Sequence, residues 1–299
     1  MNETSLQASL KSTDTEEWID LLFYRPLGYR WALLFRKWGI TPNAVTVASI
    51  FLGVGAGILF YPADLWWNIA GICLLVWANM YDSADGQLAR LTGQKSELGR
   101  ILDGMAGDLW FISIYAAICL RLTPGWGIWI WVLAALAGAA HTKQAAMADY
   151  YRNIHLFFLK GKSGSELDTA ERQRQLYRSL AWKQSFGRKF FQWFYVNYTR
   201  SQEQSSPRFQ RFFNRLKQEY AGQVPPQQLR EAFRRRSLPL MKYTNILSFN
   251  TRAVVLSVSL LVNLPWIYFV FELTVLNILY IYMVYRHEQL CVSLSAELS

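Results

Sequence analysis

Cysteine and charge are both scarce in this chain. Three cysteines in 299 residues, Cys73, Cys119 and Cys291, lie far apart without metal-ligand spacing. That excludes a disulfide framework and a thiolate zinc site. Charged residues make up 17% of the chain, against roughly 25% for an ordinary soluble domain. The opening stretch MNETSLQASLKSTDTEEW is polar and acidic and lacks a basic n-region followed by an apolar h-region, so no cleaved signal is visible. Positive charge concentrates between Asp149 and Asn245, where 19 Lys/Arg face 7 Asp/Glu. No helix-turn-helix, zinc or RNP-like signature accompanies that positive charge, so a cytoplasmic segment lying against anionic lipid is expected instead of a nucleic-acid site.

Apolar and aromatic residues are what the chain has in quantity: 52% hydrophobic, with 13 Trp and 16 Tyr. Such an aromatic load suits rings lying at a lipid–water boundary. A spanning helix needs about 20 mainly apolar residues. Stretches 44–61, 66–84, 101–120 and 126–147 qualify. The longer run 247–285 is split in two by the turn NLPW at 263–266. The expected fold is therefore an all-α integral membrane protein with six transmembrane helices. Before them, Trp31, Leu34, Phe35 and Trp38 recur at i, i+3, i+4 and i+7, which predicts an amphipathic interfacial helix. Lys/Arg placement orients the bundle: Arg25, Arg30, Arg36 and Lys37 precede span one, and Arg90, Lys95 and Arg100 lie between spans two and three. YPADLWW after span one has neither Lys nor Arg, and Arg121 stands alone between spans three and four. Both termini are thus expected on the cytoplasmic side.

The expected organisation is a tail and interfacial helix over 1–43 and four spans over 44–151. A basic cytoplasmic helical insertion over 152–243 and two further spans over 244–299 complete it. Within the insertion, Phe209, Phe212, Phe213, Leu216 and Tyr220 make one helical stripe, and Trp182, Phe186, Phe190 and Phe194 make another. The simplest expectation is that both stripes are core; a membrane-surface or partner-docking role is the alternative.

The chemistry lies in DSADGQLARLTGQKSELGRILDGMAGD, residues 82–108. Asp82, Asp85, Gly86 and Ala89 fall at i, i+3, i+4 and i+7, so two carboxylates and two very small side chains share a helix face. Gly99 and Asp103 repeat the small-beside-acid pattern on the next span. Carboxylates this close repel unless a cation lies between them. An all-oxygen set without His or Cys favours Mg²⁺ or Mn²⁺, which keeps positions open for phosphate oxygens. Acids in a loop between helices are ordinarily just solvated, but charges at the mouth of a span are costly and usually face a cavity or partner.

The pattern D82-x-x-D85-G86-x-x-A89-R90-x8-G99-x3-D103 resembles the signature of the CDP-alcohol phosphotransferase family, integral-membrane enzymes of phospholipid head-group synthesis. GITPNAVTVAS at 39–49 is similar to that family's entry into its first span. The resemblance implies transfer of a phosphatidyl group from CDP-diacylglycerol to an alcohol, with release of CMP. It also implies Mg²⁺ or Mn²⁺ on Asp82, Asp85 and Asp103, and contacts from Gly86, Ala89, Arg90 and Gly99 to the nucleotide. A homodimer is a further family expectation. The chain departs from the family at its last aspartate: Gly107 holds that position and Asp108 comes one residue late. On a regular helix Asp108 points about 140° away from Asp103. Either a π-bulge between 103 and 108, eased by Gly104 and Gly107, brings Asp108 into register as the base, or the fourth carboxylate is missing.

A phosphorylated acceptor, such as inositol phosphate or glycerol phosphate, needs cations, and Arg252, Lys143 and His141 are the candidates. Arg252 equally suits a snorkelling anchor; it is the one point of resemblance to bacterial phosphatidylinositol-phosphate synthases. Glu272, mid-span, has no assigned partner. A CDP-aminoalcohol:diacylglycerol phosphotransferase and a catalytically silent membrane scaffold stand as alternatives. A transporter is disfavoured because the acids cluster at the membrane edge.

Overall fold

The computed structural model describes residues 12–94, 96–161, 164–182, 185–220 and 224–297, with the side chains of 97, 98 and 100 also left aside. Lys95 and the side chain of Arg100, used above to orient the chain, therefore lie outside the described residues. Among the described residues every regular element is helical. The chain divides into two compact units, Met1–Thr142 with Phe249–Val275, and Lys143–Ser248 with Leu276–Ser299.

In the first unit a π turn, Asp20–Tyr24, leads into α1 (Arg25–Lys37), which packs on α3 (Leu65–Thr92). Tyr29, Ala32 and Phe35 of α1 are buried, while Trp38 stays exposed. α2 (Pro42–Leu59) starts where Thr41 accepts a hydrogen bond from the Ala44 amide at 3.3 Å, with Pro42 in the first turn, where its missing N–H costs nothing. α3 begins at Asp64, whose carboxylate accepts from the Trp66 and Trp67 amides, and ends at Gly93 in the left-handed region, φ 70°. α4 (Glu97–Trp126) is capped by Ser96, which accepts from the Gly99 amide at 2.9 Å.

α2 lies unusually close to α4, because a Cβ on Gly53 would sit 2.2 Å from the Trp110 ring and one on Gly57 would sit 2.4 Å from Ser113 Oγ. α5 (Trp129–Lys160) adds Ile130, Ala134 and Ala137 to a core that also takes Phe60, Leu75, Trp110 and Ile114. α6 (Ala170–Ser179), α7 (Phe186–Ser205), α8 (Pro207–Glu219), α9 (Gln227–Ser237) and α10 (Met241–Ile246) follow in the second unit. The chain returns to the first unit with α11 (Phe249–Leu261), α12 (Trp266–Phe271) and a π turn, Glu272–Leu276, before α13 (Asn277–Glu297).

Among the described residues, four stretches are long and apolar enough to cross a membrane: Pro42–Leu59, Ile101–Trp126, Gln227–Leu261 and Trp266–Glu297. Phe51, Ile58, Ile112, Ile278 and Ile281 in them are exposed, as lipid-facing side chains would be. The other two expected spans fall in α3 and α5. These helices run 28 and 32 residues but carry Trp66, Trp67 and Asn68 in the first stretch and His141, Thr142, Lys143 and Gln144 in the second.

In the second unit the two aromatic stripes part company. Phe209, Phe212, Phe213 and Leu216 are buried, with Phe158 stacked on Phe233 at 3.8 Å. Glu288 closes the start of α8 by accepting from the Arg208 and Phe209 amides at 2.8 and 3.2 Å. The second stripe is not core: Trp182, Phe186, Phe190 and Phe194 are all exposed. The simplest expectation, that both stripes are core, holds for the first, and the second falls to the alternative of a covered surface; what decides is which face a neighbouring helix covers.

Candidate metal and nucleotide site

Asp82 and Asp85 lie on α3 and Asp103 on α4, and one carboxylate oxygen from each falls within 4.8 Å of the others. Asp85 is buried, Asp82 half-buried and Asp103 exposed, so the group opens to one side. Asp85 lies just beyond the apolar stretch 66–84. Burial, then the charges of Asp82 and Asp103, hold its pKa well above the ordinary carboxylate range. A cation among the three oxygens would relieve that repulsion, and the donor set is all oxygen, as Mg²⁺ or Mn²⁺ requires. The residues fit the ion.

Thr46 on α2, itself buried, donates its hydroxyl to Asp85 Oδ2 at 2.5 Å and fixes that carboxylate. α2 also supplies Asn43, whose Oδ1 would lie 2.6 Å from a Cβ on Gly99. Gly99 is therefore a close-packing position, and its expected nucleotide contact would run through backbone. Gly86 differs: a Cβ there would only touch the Arg90 guanidinium, Nη1 at 3.4 Å, which lies over this position. Ala89 and Arg90 are half-buried on the same helix. Burial, then the neighbouring Arg25, lowers the Arg90 pKa to about 10, which leaves it cationic at neutral pH and within the field of Asp103 and Asp85.

Around this face, Arg25 donates to Glu16 at 2.9 Å, and Gln87 Nε2 donates to the Arg25 carbonyl at 3.1 Å. Thr46, Asn43 and Arg25 were not among the residues expected here. The stretch GITPNAVTVAS contains the first two, but only the packing of α2 on α3 and α4 gives them a task.

Asp108 does not join the cluster. α4 is regular α-helix through Glu97–Trp126, with no π turn between 103 and 108, and Asp108 is exposed. The expected bulge is absent: a Cβ on Gly104 or Gly107 would meet nothing within 4 Å, so no neighbour forces the backbone to rewind.

The proposed acceptor cations are also placed differently from expectation. His141 and Arg252 come together, but inside the first unit. Arg252 is 1% exposed and ion-paired with Glu272, and His141 Nδ1 donates to Glu272 Oε1 at 2.8 Å. Tyr268 donates to the same oxygen at 2.5 Å and Tyr115 to Oε2. Glu272 thus has its partners, and the guanidinium is spent on an internal pair instead of facing an acceptor. Lys143 is exposed and belongs to the second unit.

Residues 39–155 match the family model described as CDP-alcohol phosphatidyltransferase, and the three clustered aspartates lie within them. Over these residues the chain resembles the CDP-alcohol phosphatidyltransferases. Its sequence is 37% identical over 90 residues to the archaetidylinositol phosphate synthase of Pyrococcus horikoshii, covering 30% of this chain and 46% of that protein. It is 29% identical over 99 residues to the phosphatidylinositol phosphate synthase of Mycobacteroides abscessus, covering 33% and 44%. The chain thus spans less than half the length of either relative. The matched segment ends at residue 155, before most of the basic block.

Proposed function

We propose that the protein transfers a phosphatidyl group from CDP-diacylglycerol to the hydroxyl of a small alcohol and releases CMP. The observation that carries this is the group of three carboxylates inside the family-matched segment. Asp82, Asp85 and Asp103 would hold Mg²⁺ or Mn²⁺ and, when bound, the ion would spread the charge developing on the departing CMP. Thr46 keeps the Asp85 carboxylate in place. Without a side chain, Gly86 lets the nucleotide come close to the α3 backbone, with Ala89 beside it and the overlying Arg90 guanidinium adding positive charge. The acceptor oxygen bonds to the phosphatidyl phosphorus as the P–O bond to CMP breaks. The acceptor proton passes to a base; Asp108, about 140° from Asp103 on the regular α4, points away from the metal group and is not that base.

A groove of about 410 Å³ supports a lipid-linked donor. It is lined by Tyr24, Leu75, Val76, Phe249, Ala253 and Val254, almost wholly apolar side chains. The relatives' names point to inositol phosphate as acceptor; with Arg252 ion-paired internally, the cation meeting its phosphate is another residue. Six spans, with both termini, the site and the basic segment on the cytoplasmic side, and a homodimer, complete the proposal. This arrangement lets a water-soluble alcohol meet a bilayer-anchored donor.

The test is CMP release from protein in liposomes carrying CDP-diacylglycerol, with Mg²⁺ or Mn²⁺, across a panel of alcohols and alcohol phosphates. Metal-dependent release driven by one acceptor supports the proposal. Nucleotide binding without release by any acceptor would favour the silent scaffold, the second reading kept open by Gly107 and by the position of Asp108.

A further inference from the structure

α7 is built with its polarity reversed. On the wheel of this helix, Phe186, Phe190, Trp193 and Phe194 fall within an arc of about 100°. All four are exposed, Phe186 at 67%. The inward side carries Gln192, Thr199 and Gln202 with Val196, and these are buried. The inward glutamines are fixed by hydrogen bonds within the unit: Gln192 Nε2 donates to Gln173 Oε1 at 2.6 Å, and Gln202 Nε2 donates to the Ala146 carbonyl at 2.8 Å. The helix is thus pinned with its amides inward and its rings outward, the reverse of a helix surrounded by water. The rings form one row: Trp182 to Phe186 at 5.7 Å, Phe186 to Phe190 at 6.3 Å, Phe190 to Phe194 at 4.9 Å and Phe194 to Trp193 at 4.8 Å. A contiguous exposed apolar row of this kind marks a surface that something covers.

Charge says what covers it. Residues 169–205 contain seven Lys/Arg and two Asp/Glu. Lys189 lies over the Tyr177 and Trp182 rings at 4.8 and 5.4 Å, at the edge of the row. Arg174, Arg178 and Arg200 are exposed on α6 and α7. Aromatic rings flanked by cations are the composition of a helix lying in the headgroup layer of an anionic bilayer. The same polypeptide carries stretches apolar enough to span one, so this partner is always at hand.

We propose that the aromatic face of α7, Phe186, Phe190, Trp193 and Phe194 with Trp182, docks on an anionic lipid surface and forms a peripheral anchor in addition to the spanning helices. The inference rests on the membrane placement proposed above. Its test separates the two with nitroxide labels on the full chain in vesicles of phosphatidylcholine and phosphatidylglycerol. Cys73 is the exposed native cysteine and is replaced by Ser in all variants; Cys119 and Cys291 are buried. The label at Phe194→Cys reports on the row. Ile112→Cys, 65% exposed within Ile101–Trp126, serves as the lipid reference, and exposed Gln218→Cys on α8 as the water reference.

The expected result is that position 194 collides with oxygen in preference to a water-soluble nickel chelate, shifted from 218 towards 112. That preference should weaken when phosphatidylglycerol is omitted. Nickel access at 194 equal to that at 218 overturns the proposal. So does shielding from both reagents, which would mean that a protein surface covers the row. If 112 is also open to nickel, the membrane placement itself fails, and the anchor with it.

Discussion

The first unit holds two groups of acids in opposite surroundings. Asp82, Asp85 and Asp103 face one another, carboxylate against carboxylate, at a mouth open on the Asp103 side. Glu272 is fully buried and meets Arg252, His141, Tyr115 and Tyr268 from three other helices and its own. The second group carries its own countercharge and donors, so nothing from outside is needed to satisfy it. The first is an assembly of like charges whose electrostatics improve when a cation arrives. One is built to hold helices together, the other to hold a ligand, and the difference lies in what surrounds each carboxylate, not in how deeply it is buried.

The strongest way to break that comparison is at the open group. Asp103→Asn is expected to abolish metal-dependent CMP release, by about 10³-fold or more if the ion supplies several kcal/mol of transition-state stabilisation. Asp85→Asn should do the same, yet without metal its melting temperature should equal or exceed that of the wild type, because a repulsive charge has gone. A clear loss of metal-free stability in Asp85→Asn would show that the cluster also holds the fold together.

The closed group should respond the other way. Glu272→Ala leaves Arg252 buried without its carboxylate and is expected to cost about 3–5 kcal/mol of stability. Replacing both partners, Arg252→Met with Glu272→Met, should cost less than either single change, since the pair's desolvation penalty is removed together with its attraction. Melting of the three variants in one detergent checks this. Equal or additive losses would mean that the charges do more than satisfy each other.

A third expectation concerns the residue between the two groups on α4. Asp108→Asn should leave kcat and Mn²⁺ affinity close to those of the wild type, because on the regular α4 its carboxylate points about 140° away from Asp103. Isothermal titration with Mn²⁺ alongside the rate assay separates these. A fall in kcat of about 10²-fold, the scale of a lost general base, would return Asp108 to the mechanism, and lost metal binding would place it among the ligands.

How far these features could be read in advance depends on whether their cause is local. The pairing of Asp82 with Asp85 follows from spacing along one helix, and the amphipathic α1 from its own periodicity, so both were legible. The partners of Glu272 were not. They come from α4, α5 and α11 through tertiary packing, and a lone acid in an apolar run says only that some partner exists. The absent π-bulge teaches a related limit: Gly104 and Gly107 permit a rewound turn, but nothing packed against them demands one. The π turns that do occur, Asp20–Tyr24 and Glu272–Leu276, carry no such glycine signal in their sequences. The two aromatic stripes of the basic segment have the same spacing and opposite exposure, because period reveals that a face exists but not what lies against it.

Thr46 offers the finest sharpening of the contrast. Its hydroxyl reaches Asp85 from α2, across the helix packing that Gly53 and Gly57 make possible against α4. A hydrogen bond to a charged group contributes about 1.5–3 kcal/mol, and loss of an outer partner typically weakens a metal site by about 10–100-fold. Thr46→Val keeps the side chain's volume and removes the donor, so Mn²⁺ affinity should fall within that range, and Thr46→Ser should restore most of it. Melting should change less than in Glu272→Ala, because the Asp85 carboxylate stands at the edge of an open site and can turn towards water. If Thr46→Val instead destabilised the fold as strongly as Glu272→Ala, Asp85 would belong with the closed group, and the division between holding helices and holding a ligand would not run where the carboxylates' surroundings place it.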